Sequence, residues 1–315
     1  MPLSPAGAGE RERSGGVRMR VFVAGATGLI GRAVCAELLA EGHEVVALSR
    51  SPSPALPAGA RAVRGDPAAP GPWSEALASC DACVNLAGEP VARGRWTAEK
   101  KRRIRESRVA AARNLAAVAA AGGPRVLVQG SAVGFYGSRG DEELTESSPG
   151  GTGFLAEVSR EWEGAAAPAA RWARLVLLRT GLVLAREGGA LPRMALPFRL
   201  FAGGPIGDGA FWQPWIHLAD EAGLVLWALG EERASGPINA AGPAPARNRD
   251  LARAIGRALG RPSLLPVPAL AIRLALGEVA EVVTSSQRAL PARALELGYR
   301  FRFPALEMAL ADLLG

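Results

Sequence analysis

Along the first 180 residues, short apolar runs rich in valine and leucine alternate with longer stretches of helical periodicity. The runs predict strands at Arg20–Ala24, Glu44–Leu48, Arg61–Arg64, Ala82–Leu86, Arg125–Gln129 and Leu175–Arg179. Between them the spacing predicts helices at Leu29–Glu41, Trp73–Ala78, Ala98–Ala121 and Phe154–Ala167. Such alternation calls for an α/β fold: a doubly wound parallel sheet with right-handed crossovers and helices on both faces. Ligands bind such sheets at the carboxyl ends of the strands. After Gly181 the pattern loosens and prolines punctuate short elements. We therefore expect a main domain over 18–185 and a smaller substrate lobe over 186–315. A strand near Pro237–Asn239, within about 213–240, should rejoin the main sheet.

The first strand breaks into glycines. Residues 21–31 read VFVAGATGLIG, placing Gly25, Gly28 and Gly31 between an apolar strand and an amphipathic helix, with a second strand about twenty residues on. Gly25 permits a sharp turn, Gly28 a close ligand approach, and Gly31 tight packing of helix on sheet. The helix then aims its first amides at a pyrophosphate. This is a Rossmann dinucleotide site, lined by Gly25, Thr27, Gly28, Leu29, Ile30 and Gly31.

The end of the second strand reads the adenosine ribose: an acidic residue binds a free 2′-hydroxyl, a basic one a 2′-phosphate. Here Ser49-Arg50-Ser51 stands in that place, so the cofactor reading is NADP, with Ser49 and Arg50 as its readers. Arg50 also has a plainer reading as a surface arginine. Arg32 is a second helper candidate, and Asp66 an acceptor for the adenine amine.

Composition narrows the picture. The chain has 315 residues, 49% of them hydrophobic, enough for a large core. Its longest apolar stretches fall short of the roughly twenty residues of a membrane span. Residues 1–17 are polar, rich in Pro and Gly, and carry Glu10 and Glu12; they read as a disordered tail, neither secretory nor import signal. A cytoplasmic protein is the expectation, with a small-molecule partner, no membrane and an open oligomeric state. The net charge of +7 and pI near 10.2 come largely from dispersed arginines. The one dense run, Lys100 to Arg105, is either a solvated helix face or a positive wall for an anionic ligand. No aromatic-interleaved module accompanies it, so nucleic-acid binding is not expected. Cys35, Cys80 and Cys83 are the only cysteines; Cys80 and Cys83 have metal-type spacing but no second pair, and read as core residues.

Several segments carry a family resemblance. Gly25 to Gly31 resembles the cofactor turn of the extended short-chain dehydrogenases/reductases, Asn85-Leu86-Ala87-Gly88 their fourth-strand motif, and Phe135-Tyr136-Gly137 their fifth-strand motif. More narrowly, Val84 to Pro90, Gly203 to Gly207, Pro214 to His217 and Arg288 to Pro291 are similar to an atypical, NAD-dependent epimerase-like subgroup with bacterial and mitochondrial branches. The resemblance runs from about Arg18 to the end. It implies a seven-stranded sheet, bound NADP(H) and a C-terminal substrate lobe. It also implies that Leu86, Ala87, Gly88 and Glu89 line the cofactor's ribose and phosphates. By the same resemblance Ser131 and Ala132 lie near the nicotinamide, with Gly181, Leu182 and Val183 on its carboxamide side.

The usual acid–base pair of that superfamily is missing. A lysine normally lowers the pKa of a tyrosine four residues before it, and the tyrosine moves the substrate proton. This chain's only tyrosines are Tyr136 and Tyr299, its only lysines Lys100 and Lys101. The expected positions hold Phe154 and Val158, and Ala132 stands where a strand-end hydroxyl is expected, with Ser131 one residue out of register. Catalytic substitutes are Tyr136, His217 and Ser131, the first two with plain structural readings of their own. Glu89 is an acid–base or ribose-binding candidate, and the tryptophans at 212 and 215 pocket wall or core. Two functions follow: an NADP-dependent oxidoreductase or epimerase-like enzyme of unusual mechanism, or a catalytically weak NADP(H) sensor, with cell division as one process it would regulate.

Overall fold

A computed structural model describes residues 17–315. The tail expected over 1–17 therefore falls outside the described residues, Val17 excepted. In chain order the first half builds β1 (Arg20–Ala24), α1 (Leu29–Ala40), β2 (Glu44–Ser49), β3 (Arg61–Arg64), α2 (Trp73–Ala78), β4 (Ala82–Asn85) and α3 (Ala98–Ala120). Then come β5 (Val126–Ala132), a short β6 (Glu143–Leu144), α4 (Phe154–Ala166) and β7 (Arg174–Thr180). The second half adds β8 (Leu182–Leu184), α5 (Leu191–Arg199), β9 (Trp212–Gln213), β10 (Trp215–His217), α6 (Leu218–Gly230) and β11 (Gly236–Ala240). It closes with β12 (Ala246–Arg247), α7 (Asn248–Leu259), α8 (Ala269–Leu276), α9 (Ala280–Thr284), β13 (Arg288–Ala289), α10 (Ala292–Glu296) and α11 (Leu306–Leu314).

Seven strands form one parallel sheet in the order β11-β7-β5-β4-β1-β2-β3. The order reverses at β1, where a doubly wound sheet opens its ligand crevice. β11 completes the sheet beside β7, where a strand near Pro237–Asn239 was expected to rejoin it. Alternation along each strand sorts side chains onto two faces. Val21, Val23, Val45, Val84 and Val128 pack under α1 and α6, whereas Phe22, Leu48, Cys83 and Leu127 pack under α2, α3 and α4. Cys80 and Cys83 are core thiols, and burial pushes Cys80 up to about 11. On the outer edge, β3 shows exposed Arg61 and Arg64, charges that discourage a further strand from pairing there.

Two of the strand ends that differ from the expected ones do so for a shared reason. β4 stops at Asn85 because that side chain turns the chain: its Oδ1 accepts from the Ala87 amide at 3.1 Å, while its Nδ2 donates to Gln129 at 2.9 Å. β5 runs three residues past Gln129, pairing Ser131 with Arg179 and Ala132 with Thr180. Polar residues continue these strands because partners from other elements satisfy them after burial.

Beyond Gly181 short strands tie the C-terminal segments to the crest of the sheet. β8 runs parallel to β10, β9 pairs with β12, and β13 with β6. A second core, containing Leu184, Leu191, Phe198, Trp215, Leu251, Ile255 and Leu310, unites α5, α7 and α11. Trp215 is thus core. Trp212 lies instead between the guanidinium groups of Arg247 and Arg288, 4.5 and 4.8 Å from its ring.

Candidate functional site: a dinucleotide cleft at the strand ends

At the end of β1 the chain turns through Gly25, whose φ of +84° suits glycine. A Cβ there would lie 2.6 Å from the carbonyl carbon of Leu86, so the β1 turn and the β4 turn touch backbone to backbone. Leu86 also donates its amide to Ala24 O at 2.8 Å. One turn into α1, a Cβ on Gly31 would sit 2.1 Å from Gly25 O. Thr27 and Gly28 are exposed above this cradle, and α1 starts with no side-chain cap and no acidic residue in its first turn. Its first amides are left for an anion. Leu29 and Ile30 continue into the helix, where Leu29 meets the 188–189 segment: a Cβ on Gly189 would be 3.0 Å from its Cδ2.

Across the switch point, β2 delivers Ser49 and Arg50. Ser49 is buried and accepts from the Ser51 amide at 3.1 Å, shaping the bend. Arg50 is exposed and has no hydrogen-bond or ion-pair partner among the described residues. Asp66 accepts from the Ala68 amide at 2.9 Å, so one of its oxygens is committed to its own turn.

Helix α3 pins the β4 loop, Leu86 to Glu89. Ser107 Oγ accepts the Glu89 amide at 3.0 Å, Arg108 donates to Glu89 O at 2.9 Å, and Lys100 Nζ lies 2.5 Å from Glu89 Oε1. Lys100 holds the Glu89 carboxyl below the usual carboxylate range, with Arg103 and Arg50 adding to the effect. Ala87 and Gly88 are thereby set against the cradle. On the far side Gly181 donates to Ala240 O at 2.9 Å and Leu182 to Pro214 O at 2.7 Å, which fixes Leu182 and Val183 beside β10.

The proposed catalytic substitutes are placed differently. Ser131 is buried and donates to Glu163 at 2.6 Å. Glu163 takes Arg179 in a two-pronged pair, at 2.8 and 2.9 Å. Arg179 donates to the Tyr136 hydroxyl at 3.0 Å, and that hydroxyl donates to Asn239 Oδ1 at 2.7 Å. Tyr136 is 0% exposed, and burial raises its pKa. The ring lies inside a hydrogen-bonded network, which Asn239 extends to Leu144 O and Leu290 O. The Ser131 hydroxyl belongs to the same network, and Ala132 takes the more exposed place at the strand end.

His217 caps α6. Its Nδ1 accepts the Ala219 amide at 3.0 Å, so the neutral ring carries its proton on Nε2, which faces Asp312 at 3.3 Å. The ring stacks on Phe303 at 3.8 Å, and burial lowers its pKa. Both ring nitrogens are thus hydrogen-bonded, and the residue serves as the cap of α6.

Where the superfamily's tyrosine and lysine would stand, Phe154 and Val158 join Trp96, Ile104 and Val279 in an apolar cluster. Phe154 meets Trp96 edge-on at 5.0 Å. Sequence reasoning missed Glu163, Arg179, Asn239, Ser107 and Arg108. For Ser107 a signal was present: it lies seven residues after Lys100, two helical turns along one face.

A glycine cradle at the switch point of a seven-stranded parallel sheet, with an uncapped helix behind it, defines a nucleotide-binding α/β protein of the dehydrogenase and epimerase type. Residues 21–241 match the NAD dependent epimerase/dehydratase family, and the chain belongs to it. Residues 267–313 match a domain of unknown function. A chloroplastic homologue of the epimerase family protein SDR39U1 from Arabidopsis thaliana is 40% identical over 306 residues, 93% of this chain and 86% of that protein. An epimerase family protein of Mycobacterium leprae is 39% identical over 92% of this chain and 94% of its own length. The crystal structure of human SDR39U1, solved with NADPH, superposes with a TM-score of 0.85 at 36% identity, covering 94% of this chain and 99% of that one. Among the described residues no helix is long and apolar enough to cross a membrane.

Proposed function

We propose that this protein binds NADP(H) and uses it as an oxidoreductase or epimerase-like enzyme on a small molecule, by a mechanism lacking the Tyr/Lys pair. The observation that carries the reading is Arg50, a guanidinium without a partner among the described residues, at the strand end that in such folds reads the adenosine ribose. A free cation there suits a 2′-phosphate, and human SDR39U1 was crystallised with NADPH. The cradle fits the group: Gly25 packs backbone to backbone on Leu86 and Gly31 on Gly25, while exposed Gly28 heads an uncapped helix whose first amides suit a pyrophosphate. Gly25, Thr27 to Gly31, Ser49, Arg50, Asp66 and Leu86 to Glu89 would hold it, with Gly181 to Val183 on the nicotinamide side.

When bound, the cofactor supplies the hydride. The chain's own residues orient it, through α1's amides and the pinned β4 loop, while the Phe154–Trp96–Val279 cluster keeps the usual tyrosine and lysine positions apolar. Because Tyr136, Ser131 and His217 are engaged, any proton exchanged with substrate passes through another group or water. That same cluster supports a second reading, a catalytically weak NADP(H) sensor, since apolar residues stand where the superfamily keeps its acid and base.

Titration with NADPH and NADH, followed by nucleotide fluorescence, tests the binding reading. NADPH should bind more tightly, and Arg50→Ala should remove the preference; equal affinity in wild type would overturn it. Screening carbonyl compounds for NADPH oxidation separates enzyme from sensor.

A further inference from the structure

The start of α3, Lys100 to Arg105, carries five positive charges, and four of them have carboxylate partners. Lys100 pairs with Glu89, Lys101 with Glu278, Arg102 with Glu99 and Glu106, and Arg105 with Glu157 and Glu161. Arg103 is exposed and has neither a carboxylate nor a hydrogen-bond partner among the described residues. On an α3 that otherwise pairs its leading charges, a lone guanidinium invites a ligand.

Helical geometry says where it looks. Lys100, Arg103 and Ser107 follow one another at spacings of three and four, a single stripe of the helix. Lys100 bonds the Glu89 carboxylate and Ser107 accepts the Glu89 amide, so Arg103 between them shares the face turned toward Glu89. Arg50, at the end of β2, is also exposed and also without a partner among the described residues. The charges of both arginines are felt at the Glu89 carboxyl.

We propose that Arg103 is a specificity-determining residue, closing with Arg50 a two-sided clamp on the 2′-phosphate of NADP(H). The inference rests on the NADP(H) reading above and adds a group on α3 to the strand-end arginine. A dianionic phosphate beside Glu89 would ordinarily be repelled, but Lys100 offsets that carboxylate. Two separate guanidinium groups, one from β2 and one from α3, can each direct N–H donors at phosphate oxygens.

The test compares NADPH and NADH affinities of wild type, Arg50→Ala, Arg103→Ala and the double variant at low salt, with Arg102→Ala as control. Arg103→Ala should weaken NADPH binding by roughly tenfold or more, the usual loss for a charge-assisted contact, and leave NADH unchanged. The loss should shrink as salt rises. Arg102→Ala should behave as wild type. The proposal is overturned if Arg103→Ala leaves NADPH affinity intact while Arg50→Ala lowers it, an outcome under which NADP(H) binding itself stands. It is equally overturned if Arg103→Ala weakens both nucleotides alike. Should wild type bind neither nucleotide, the NADP(H) reading fails and the clamp with it.

Discussion

Arg179 on β7 lays its Nε and Nη2 against the two carboxylate oxygens of Glu163 on α4, at 2.8 and 2.9 Å, with both side chains almost wholly buried. This pair joins the sheet to its flanking helix at the level where the cofactor cleft begins. Ser131 and Tyr136 complete it.

Removing the carboxylate leaves a buried guanidinium without its counter-charge. Glu163→Ala should destabilise the protein by about 3–5 kcal/mol, the range for breaking one side of a buried pair. Urea unfolding measures it. Tyr136→Phe, which deletes two hydrogen bonds, the one donated to Asn239 Oδ1 and the one accepted from Arg179, should cost about 1–3 kcal/mol. NADPH affinity should hold in the folded Tyr136→Phe protein; a loss of binding would return the tyrosine to the cleft.

Glu221 on α6 gives the fold a pH signature. It is fully buried, accepts only from Thr180 Oγ1 at 2.7 Å, and has its second oxygen buried without a partner. Burial pushes its pKa up to about 8. The folded state therefore keeps a proton that the unfolded chain loses near pH 4.3, the ordinary value for Glu. Stability from this residue is present below that pH and drains away as pH rises toward about 8. Glu221→Gln, neutral at every pH, should gain in melting temperature over wild type between pH 5 and pH 8. A constant difference across that range would count against a protonated Glu221.

His217 should behave as a cap. His217→Ala loses the bond to the Ala219 amide and should cost about 1 kcal/mol, while His217→Asn, itself a good capping residue, should recover most of it. Neither substitution should change the pH dependence of any NADPH-linked turnover. A turnover defect in the stable His217→Asn variant would reinstate the proton-shuttle role.

Gly31→Ala tests the cradle. Its methyl would fall 2.1 Å from Gly25 O, a backbone atom that cannot swing aside. Overpacking of this kind costs about 1–3 kcal/mol, and the shifted turn should lower nucleotide affinity in the fraction that folds. Thermal melts with and without NADPH read both effects, since a ligand that binds raises the melting temperature.

How much of this was legible beforehand follows from what a linear pattern encodes. Val21 to Gly31 carried the strand, the turn, the helix and the ligand class, because those depend on neighbours within eleven residues and on glycine's missing side chain. The alternating runs likewise carried the parallel sheet. Tertiary structure alone decided what each polar group touches. Tyr136 meets Asn239 across 103 positions, Asn85 meets Gln129 across 44, and Asp312 comes to His217 from 95 residues away. Periodicity says whether a side chain points in or out; it is silent on which distant partner waits there. A buried hydroxyl or imidazole must find such a partner to offset lost hydration. That requirement gives Tyr136, Ser131 and His217 their partners inside the protein, whereas exposed Arg50 and Arg103 have none among the described residues.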